Sequence, residues 1–182
     1  MRVESTLFKD CFVLHPQVFR DERGYFFESF NQGSFEQQTG LKTQFIQDNQ
    51  SYSQRGTLRG LHFQTGVCQQ AKLVRVIQGE VLDVIVDLRQ DSPTFGQHLA
   101  MVLNGVEQKQ LFVPRGFAHG FLVLSETAIF AYKCDNYYNK EAEGGIYYKD
   151  PILAIDWPQL EQGYIISDKD AILPSFNTIQ PL

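Results

Sequence analysis

With 182 residues, 43% of them hydrophobic, the chain is long enough for one sizeable core and too apolar for a disordered segment. A net charge of −5 argues against a nucleic-acid surface and leaves an anionic small molecule as a partner only where Arg and Lys cluster locally. Cys11, Cys68 and Cys134 are odd in number and lack a C-x-x-C spacing, so neither a zinc cage nor a disulfide framework is indicated. Free thiols, a first few residues without a signal-peptide apolar run, and no stretch near the roughly 20 apolar residues of a membrane span predict a cytoplasmic protein.

Short runs rich in Val, Ile, Phe and Tyr recur between turn residues. They predict strands at Lys9–Leu14, Tyr25–Phe30, Thr57–Phe63, Ala71–Ile77, Glu80–Leu88, Gln97–Leu103, Gln110–Val113, Gly120–Leu124 and Ala128–Lys133. Strands this closely spaced predict an all-β sandwich or barrel. In Val81–Asp87 the polar Asp83 and Asp87 fall on one face with Ile85. Helix is scarce: Asn31 is placed to cap one short helix, Gln32–Thr39, which Gly40 ends. No repeat or linker interrupts the chain, which predicts one domain over residues 1–182, with the tail Trp157–Leu182 packed across the barrel.

Two histidine segments flank the β-rich centre: Gly60-Leu61-His62-Phe63-Gln64, with Lys72 and Gly79 downstream, and Pro114-Arg115-Gly116-Phe117-Ala118-His119. Together they resemble the two motifs of the cupin double-stranded β-helix, a jelly-roll barrel whose metal sites use His-x-His and a carboxylate, then a further His. Here Gln64 stands at the second His position and Lys72 at the carboxylate position. A lysine cation beside a divalent ion would be repelled, so the predicted site holds no metal. Neutral imidazole is a competent general base near neutral pH, its unperturbed pKa being about 6.5. His62 is the preferred base, and Asp170, in Ser167-Asp168-Lys169-Asp170, is a partner that would orient it. Tyr132, after Ile129-Phe130-Ala131, is either an inward general acid or a core aromatic. Lys72 is either an oxyanion stabiliser or a rim lysine. His119 is either a cavity residue or a satisfied core histidine.

Taken together, the chain resembles the dTDP-4-dehydrorhamnose 3,5-epimerase family of metal-free cupins. The resemblance runs from about Phe8 to Pro174 and is carried by Asp21-Glu22-Arg23-Gly24-Tyr25-Phe26-Phe27-Glu28, Gln47-Asp48-Asn49-Gln50-Ser51, Leu58 to Gln64, Lys72-Leu73-Val74-Arg75-Val76, Pro114 to Phe121, Tyr132-Lys133, Tyr137-Tyr138 and Ser167 to Asp170. It implies that His62, paired with Asp170, removes the proton at C3 or C5 of a 4-keto sugar. Lys72 would stabilise the enolate, and Tyr132 would return a proton from the opposite face. It further implies a dTDP-4-keto-6-deoxy sugar as ligand, with Arg59 at the diphosphate and Tyr138 stacked on the base. Arg23, Glu28, Gln47, Asn49 and Lys169 match nucleotide-binding positions, and His119 and Glu143 match further substrate contacts. The family's usual state is a homodimer in which an N-terminal strand joins the partner's sheet. One conflict stands: Arg59 and His62 have opposite parity and cannot both face a cavity from a regular strand, unless a bulge at Gly60 re-aims one of them.

Overall fold

Along Glu80–Asp87 every residue after Glu80 is buried, although side chains alternate from face to face. A strand covered on both sides must lie inside a layered structure, and the computed structural model, which describes residues 1–182, is built in such layers. In chain order the strands are β1 (Arg2–Ser5), β2 (Phe12–His15), β3 (Phe19–Asp21), β4 (Gly24–Phe26), β5 (Gln47–Gln54), β6 (Leu58–Gln64), β7 (Lys72–Gln78), β8 (Glu80–Asp87), β9 (His98–Asn104), β10 (Gln110–Val113), β11 (Phe117–Val123), β12 (Thr127–Cys134) and β13 (Glu143–Gly145). Helix α1 is Gln32–Thr39 and helix α2 is Asp168–Ala171. A six-stranded antiparallel sheet, β1-β2-β10-β7-β12-β5, faces a five-stranded one, β13-β6-β11-β8-β9, in a jelly roll. The β3–β4 hairpin forms a separate two-stranded ribbon.

Three apolar clusters follow from the alternation. Between the sheets lie Val74 and Val76 of β7, Val81 and Ile85 of β8, Phe121 of β11 and Phe130 of β12. The opposite faces of β6, β8 and β11 (Leu58, Leu61, Leu82, Val84, Leu122) are covered by Ile146, just after β13, and by Trp157, Ile166 and Phe176 of the tail. The outer face of the six-stranded sheet is covered in part by α1, whose Phe35 is fully buried against Phe30, Phe45 and Phe112. Burying that one side chain contributes roughly 1.5–3 kcal/mol. No helix is long and apolar enough to cross a membrane.

Most predicted strands are present, and α1 has the expected bounds, with Asn31 accepting from Ser34 N and Gly40 in the left-handed conformation. The tail packs as expected from its apolar residues. Three differences have physical causes. The segment Tyr25–Phe30 is strand only to Phe26, because the chain leaves the hairpin to reach the Asn31 cap. β11 begins at Phe117 rather than Gly120, since Phe117–Gly120 pair with Asp87–Val84 of β8. β5, Gln47–Gln54, was not expected as a strand: its inward positions Gln47, Asn49, Ser51 and Ser53 are polar because they face a cavity.

Two buried aspartates fasten the loops. Asp87 accepts from Arg89 Nε (2.8 Å) and Nη2 (2.7 Å), Ser92 Oγ (2.6 Å) and Thr94 Oγ1 (2.7 Å). Asp150 ties the tail down, accepting from Ser175 Oγ and Phe176 N on one oxygen and from Ile152 N and Leu153 N on the other. Burial raises the Asp87 carboxyl, but the hydrogen bonds from Arg89, Ser92 and Thr94 outweigh it and hold the group below its ordinary 3.8. The folded chain therefore takes up this proton at lower pH than the unfolded chain. The stabilisation is present above that ordinary value and lost as pH falls through the folded one. Asp87→Asn is expected to lower stability at neutral pH by about 2 kcal/mol in urea unfolding. It should also lose less stability than the parent between about pH 5 and about pH 3. Parallel acid curves for the two proteins would contradict this assignment.

Candidate active site

The parity conflict on β6 is resolved by a bulge. Across the β6–β11 ladder His62 faces His119 and Arg59 faces Phe121, so three steps on β6 match two on β11. His119 and Phe121 share the inward face of β11, and their partners Arg59 and His62 therefore both turn into the barrel. Gly60 sits in the bulge at φ +114°, and a Cβ there would lie 2.7 Å from both the His119 carbonyl oxygen and Gly120 Cα. No other residue type fits that close approach.

A cavity of about 320 Å³ opens between the sheets above the stacked rings of Phe121 and Phe130, whose centroids are 4.3 Å apart. On the wall formed by the five-stranded sheet, His62 Nε2 lies 2.8 Å from Asp170 Oδ1. The other carboxylate oxygen of Asp170 accepts from Gly60 N at 3.1 Å, and the Asp170 amide donates to Ser167 Oγ, which caps α2. Burial would raise the Asp170 carboxyl, but the hydrogen bonds from His62 and Gly60 keep it below the usual range. An ionised carboxylate only accepts, so the imidazole donates through Nε2–H, and in the neutral ring the lone pair is then on Nδ1. A second pair sits beside the first: His119 Nε2 is 2.8 Å from Asp83 Oδ2, and Asp83 Oδ1 has no partner.

The wall formed by the six-stranded sheet carries Lys72 on β7 and Tyr132 on β12. The Lys72 ammonium lies 5.8 Å from the centroid of the Tyr132 ring. Burial pushes Lys72 below the ordinary lysine range, against the opposing pull of Cys134, Asp83 and Glu143. Burial also pushes the Tyr132 phenol up, with Cys134 adding to the rise and Arg59 opposing it, so the phenol stays protonated at neutral pH. Arg59 is held by Ser53 Oγ, which accepts from Nε and Nη2 at 3.2 Å each.

At the mouth, Glu143 Oε2 accepts from Tyr138 Oη (2.8 Å) and Lys169 Nζ (2.5 Å). Burial raises the Glu143 carboxyl, but these bonds hold it below its ordinary value. Gln47 Oε1 accepts from Tyr138 N (3.0 Å), and Asn49 lies opposite Tyr132 across the β5–β12 ladder. Arg59 and Lys72 line the cavity without a carboxylate ion-pair partner, whereas Asp170 is paired with His62 and Glu143 with Lys169. A chain of net charge −5 concentrates positive charge here. No three His, Cys, Asp or Glu side chains converge to form a metal cage.

The structure brings His62, Asp170, Lys72, Tyr132, Arg59, His119 and Lys169 to this one cavity, with Gln47, Asn49, Tyr138 and Glu143 at its edge. Arg23 and Glu28 are elsewhere. Arg23 is at the tip of the β3–β4 hairpin paired with Asp21, and Glu28 accepts from Asn31 Nδ2 at 3.1 Å. Sequence reasoning missed Asp83 as the partner of His119, and Ser53 as the holder of Arg59. The signal for Asp83 was present: a carboxylate inside Val81-Leu82-Asp83-Val84-Ile85-Val86 is buried at a cost unless a partner meets it.

Groups able to take a proton and to return one face each other across a cavity ringed by cations. That places the protein among cupin-type barrel enzymes that move protons on an anionic substrate. A sequence model of dTDP-4-dehydrorhamnose 3,5-epimerase matches residues 5–178, and the chain belongs to this family. The dTDP-4-dehydrorhamnose 3,5-epimerase of Salmonella typhimurium is 51% identical over 96% of this chain and 94% of that one. Among solved structures, the corresponding enzyme of Elizabethkingia anophelis superposes with a TM-score of 0.92 at 53% identity, covering 97% of each chain. The dTDP-6-deoxy-D-glucose-3,5-epimerase of Legionella pneumophila, in complex with dTDP-4-keto-L-rhamnose, superposes with a TM-score of 0.94 at 47% identity, over 98% of this chain and 94% of that one.

The site's geometry turns on the buried bulge at Gly60. Gly60→Ala is expected to cost roughly 2 kcal/mol or more in stability. In the fraction that folds, it should weaken nucleotide binding and activity together, because Arg59 and His62 turn on the same hinge. Unchanged melting temperature and activity would contradict the role given to Gly60.

Proposed function

We propose that the protein is a dTDP-4-dehydrorhamnose 3,5-epimerase, converting dTDP-4-dehydro-6-deoxy-D-glucose to dTDP-4-dehydro-L-rhamnose. The observation that carries this reading is the placement of an Asp-held histidine and a protonated tyrosine on the two facing sheets. Inversion at carbon requires removal of a proton from one face and delivery to the other. A base acting alone would restore the starting configuration.

In the proposed reaction the Nδ1 lone pair of His62 takes the proton from C3 or C5, each of which flanks the C4 carbonyl. The electron pair moves onto the carbonyl oxygen, giving an enolate. Asp170 stabilises the imidazolium that forms. Lys72, a buried ammonium that gives up a proton more readily than an exposed one, stabilises the enolate oxygen. Tyr132 then delivers its phenolic proton to the carbon from the opposite wall as the carbonyl reforms. Solvent then takes the proton from the His62 imidazolium and reprotonates the Tyr132 phenolate, repetition at the other carbon completes the conversion, and no step draws on a redox or metal cofactor.

Arg59, whose planar fork suits phosphate oxygens, would bind the diphosphate, with Lys169, Gln47, Asn49, His119 and Glu143 as further contacts. The half-exposed ring of Tyr138 would stack on the thymine ring. Arg23 and Glu28 point away from this chain's cavity, on or beside a hairpin that exposes Phe19, Tyr25 and Phe26. That arrangement supports a homodimer in which one protomer's hairpin region completes the partner's nucleotide site. The layers close around one continuous arrangement without a linker, which supports a single domain, and the free thiols Cys11 and Cys134 suit a reducing cytoplasm.

In D₂O the protein is expected to place one solvent deuteron at C3 and one at C5, read by proton NMR. Folded protein that leaves both carbons unexchanged would defeat the proposal. His62→Ala should abolish exchange and turnover together. Tyr132→Phe should keep exchange at the first carbon while slowing inversion by about 10²- to 10⁴-fold, the usual contribution of a positioned acid. Inversion at the parent rate would remove Tyr132 from that role.

A further inference from the structure

Gln64 stands two residues beyond His62 on β6, at the position where the metal-binding cupin motif has its second histidine. Its side chain is 6% exposed, and both of its polar atoms are used on the backbone of one residue. Nε2 donates to the Asn139 carbonyl at 2.7 Å, and Oε1 accepts from Asn139 N at 3.0 Å. The amide thereby copies one rung of a β-ladder for a segment that has none, since residues 136–139 belong to no strand. The neighbouring residue is Tyr138, whose N–H donates to Gln47 Oε1 at 3.0 Å. Its ring is half exposed and gains little from packing. Two glutamine amides, Gln64 from one sheet and Gln47 from the other, therefore fix the backbone of Tyr138–Asn139 across the cavity mouth.

We infer that Gln64 is a positioning residue for nucleotide binding: it orders Tyr138 over the mouth before the ligand arrives. The inference rests on the proposed epimerase reading, in which Tyr138 stacks on the thymine ring. Without the Gln64 bonds Tyr138 is held only through Gln47 and Glu143, so more of the segment's ordering falls at the moment of binding, and that entropy is subtracted from affinity. His62, Asp170, Lys72 and Tyr132 make no hydrogen bond to Gln64, so the chemistry itself does not pass through it.

The test is a split between binding and turnover. Gln64→Leu, which keeps volume and removes both bonds, is expected to raise the Kd for dTDP by about tenfold in titration calorimetry. The deuterium-exchange rate at saturating substrate should stay within about threefold of the parent. Gln64→Glu keeps the acceptor but sets a carboxylate against the Asn139 carbonyl, and only its protonated form can donate. Its binding deficit relative to the parent should therefore shrink as pH is lowered from about 8 to about 5.5, while the exchange rate at saturating substrate stays near the parent's, a split that general destabilisation would not produce. A parental Kd in Gln64→Leu, a loss of turnover with unchanged Kd, or a pH-independent deficit in folded Gln64→Glu overturns the inference alone. Parent protein that neither binds dTDP nor exchanges deuterium overturns the underlying reading, and the inference with it.

Discussion

The carboxylate of Asp170 holds two elements of the fold at once. One oxygen takes the amide of Gly60 and the other takes His62 Nε2, so a single side chain from the tail fixes both the bulge of β6 and the tautomer of the histidine. The tail in turn is held by Asp150, which grips Ser175 and Phe176, and by the short helix that Ser167 caps. The apolar residues that pack the tail against the five-stranded sheet are therefore part of the site's construction. They deliver Asp170 to a strand 108 positions earlier in the chain.

Charge is arranged with the same economy. Lys72 faces a cavity that also holds Arg59 and Lys169, and a divalent ion there would meet repulsion. Burial makes the lysine more acidic and the tyrosine less so, which suits one to steady a developing negative oxygen and the other to remain a proton source. The carboxylates that would otherwise oppose an anionic ligand, Asp170 and Glu143, are taken up by His62 and by Lys169 with Tyr138. The net negative charge of the whole chain thus says little about the sign of its binding site.

Much of this was legible in the sequence, because apolar alternation and turn residues locate strands wherever at least one face is core. β8, β11 and β12 were found for that reason, and α1 was found from its caps. β5 was not found, since its inward Asn49, Ser51 and Ser53 serve a cavity and break the apolar pattern. The departure of Lys72 and Gln64 from a metal-binding pattern was visible, as was the parity conflict between Arg59 and His62. The register shift that settles the conflict is a relation between β6 and β11 that no single strand encodes. The pairing of His119 with Asp83 was hidden likewise. Alternation placed Asp83 on one face of β8 with Ile85 but could not say which face looks inward or name the strand beside it.

The central claim is geometric: base and acid reach one sugar ring from opposite sheets. A crystal structure of the protein with a bound dTDP-linked 6-deoxy sugar tests it directly. The expected complex has His62 and Tyr132 on opposite faces of the pyranose, the C4 oxygen nearest Lys72, and the diphosphate against Arg59. A sugar with His62 and Tyr132 on the same face, or lodged outside the space between the sheets, would contradict it.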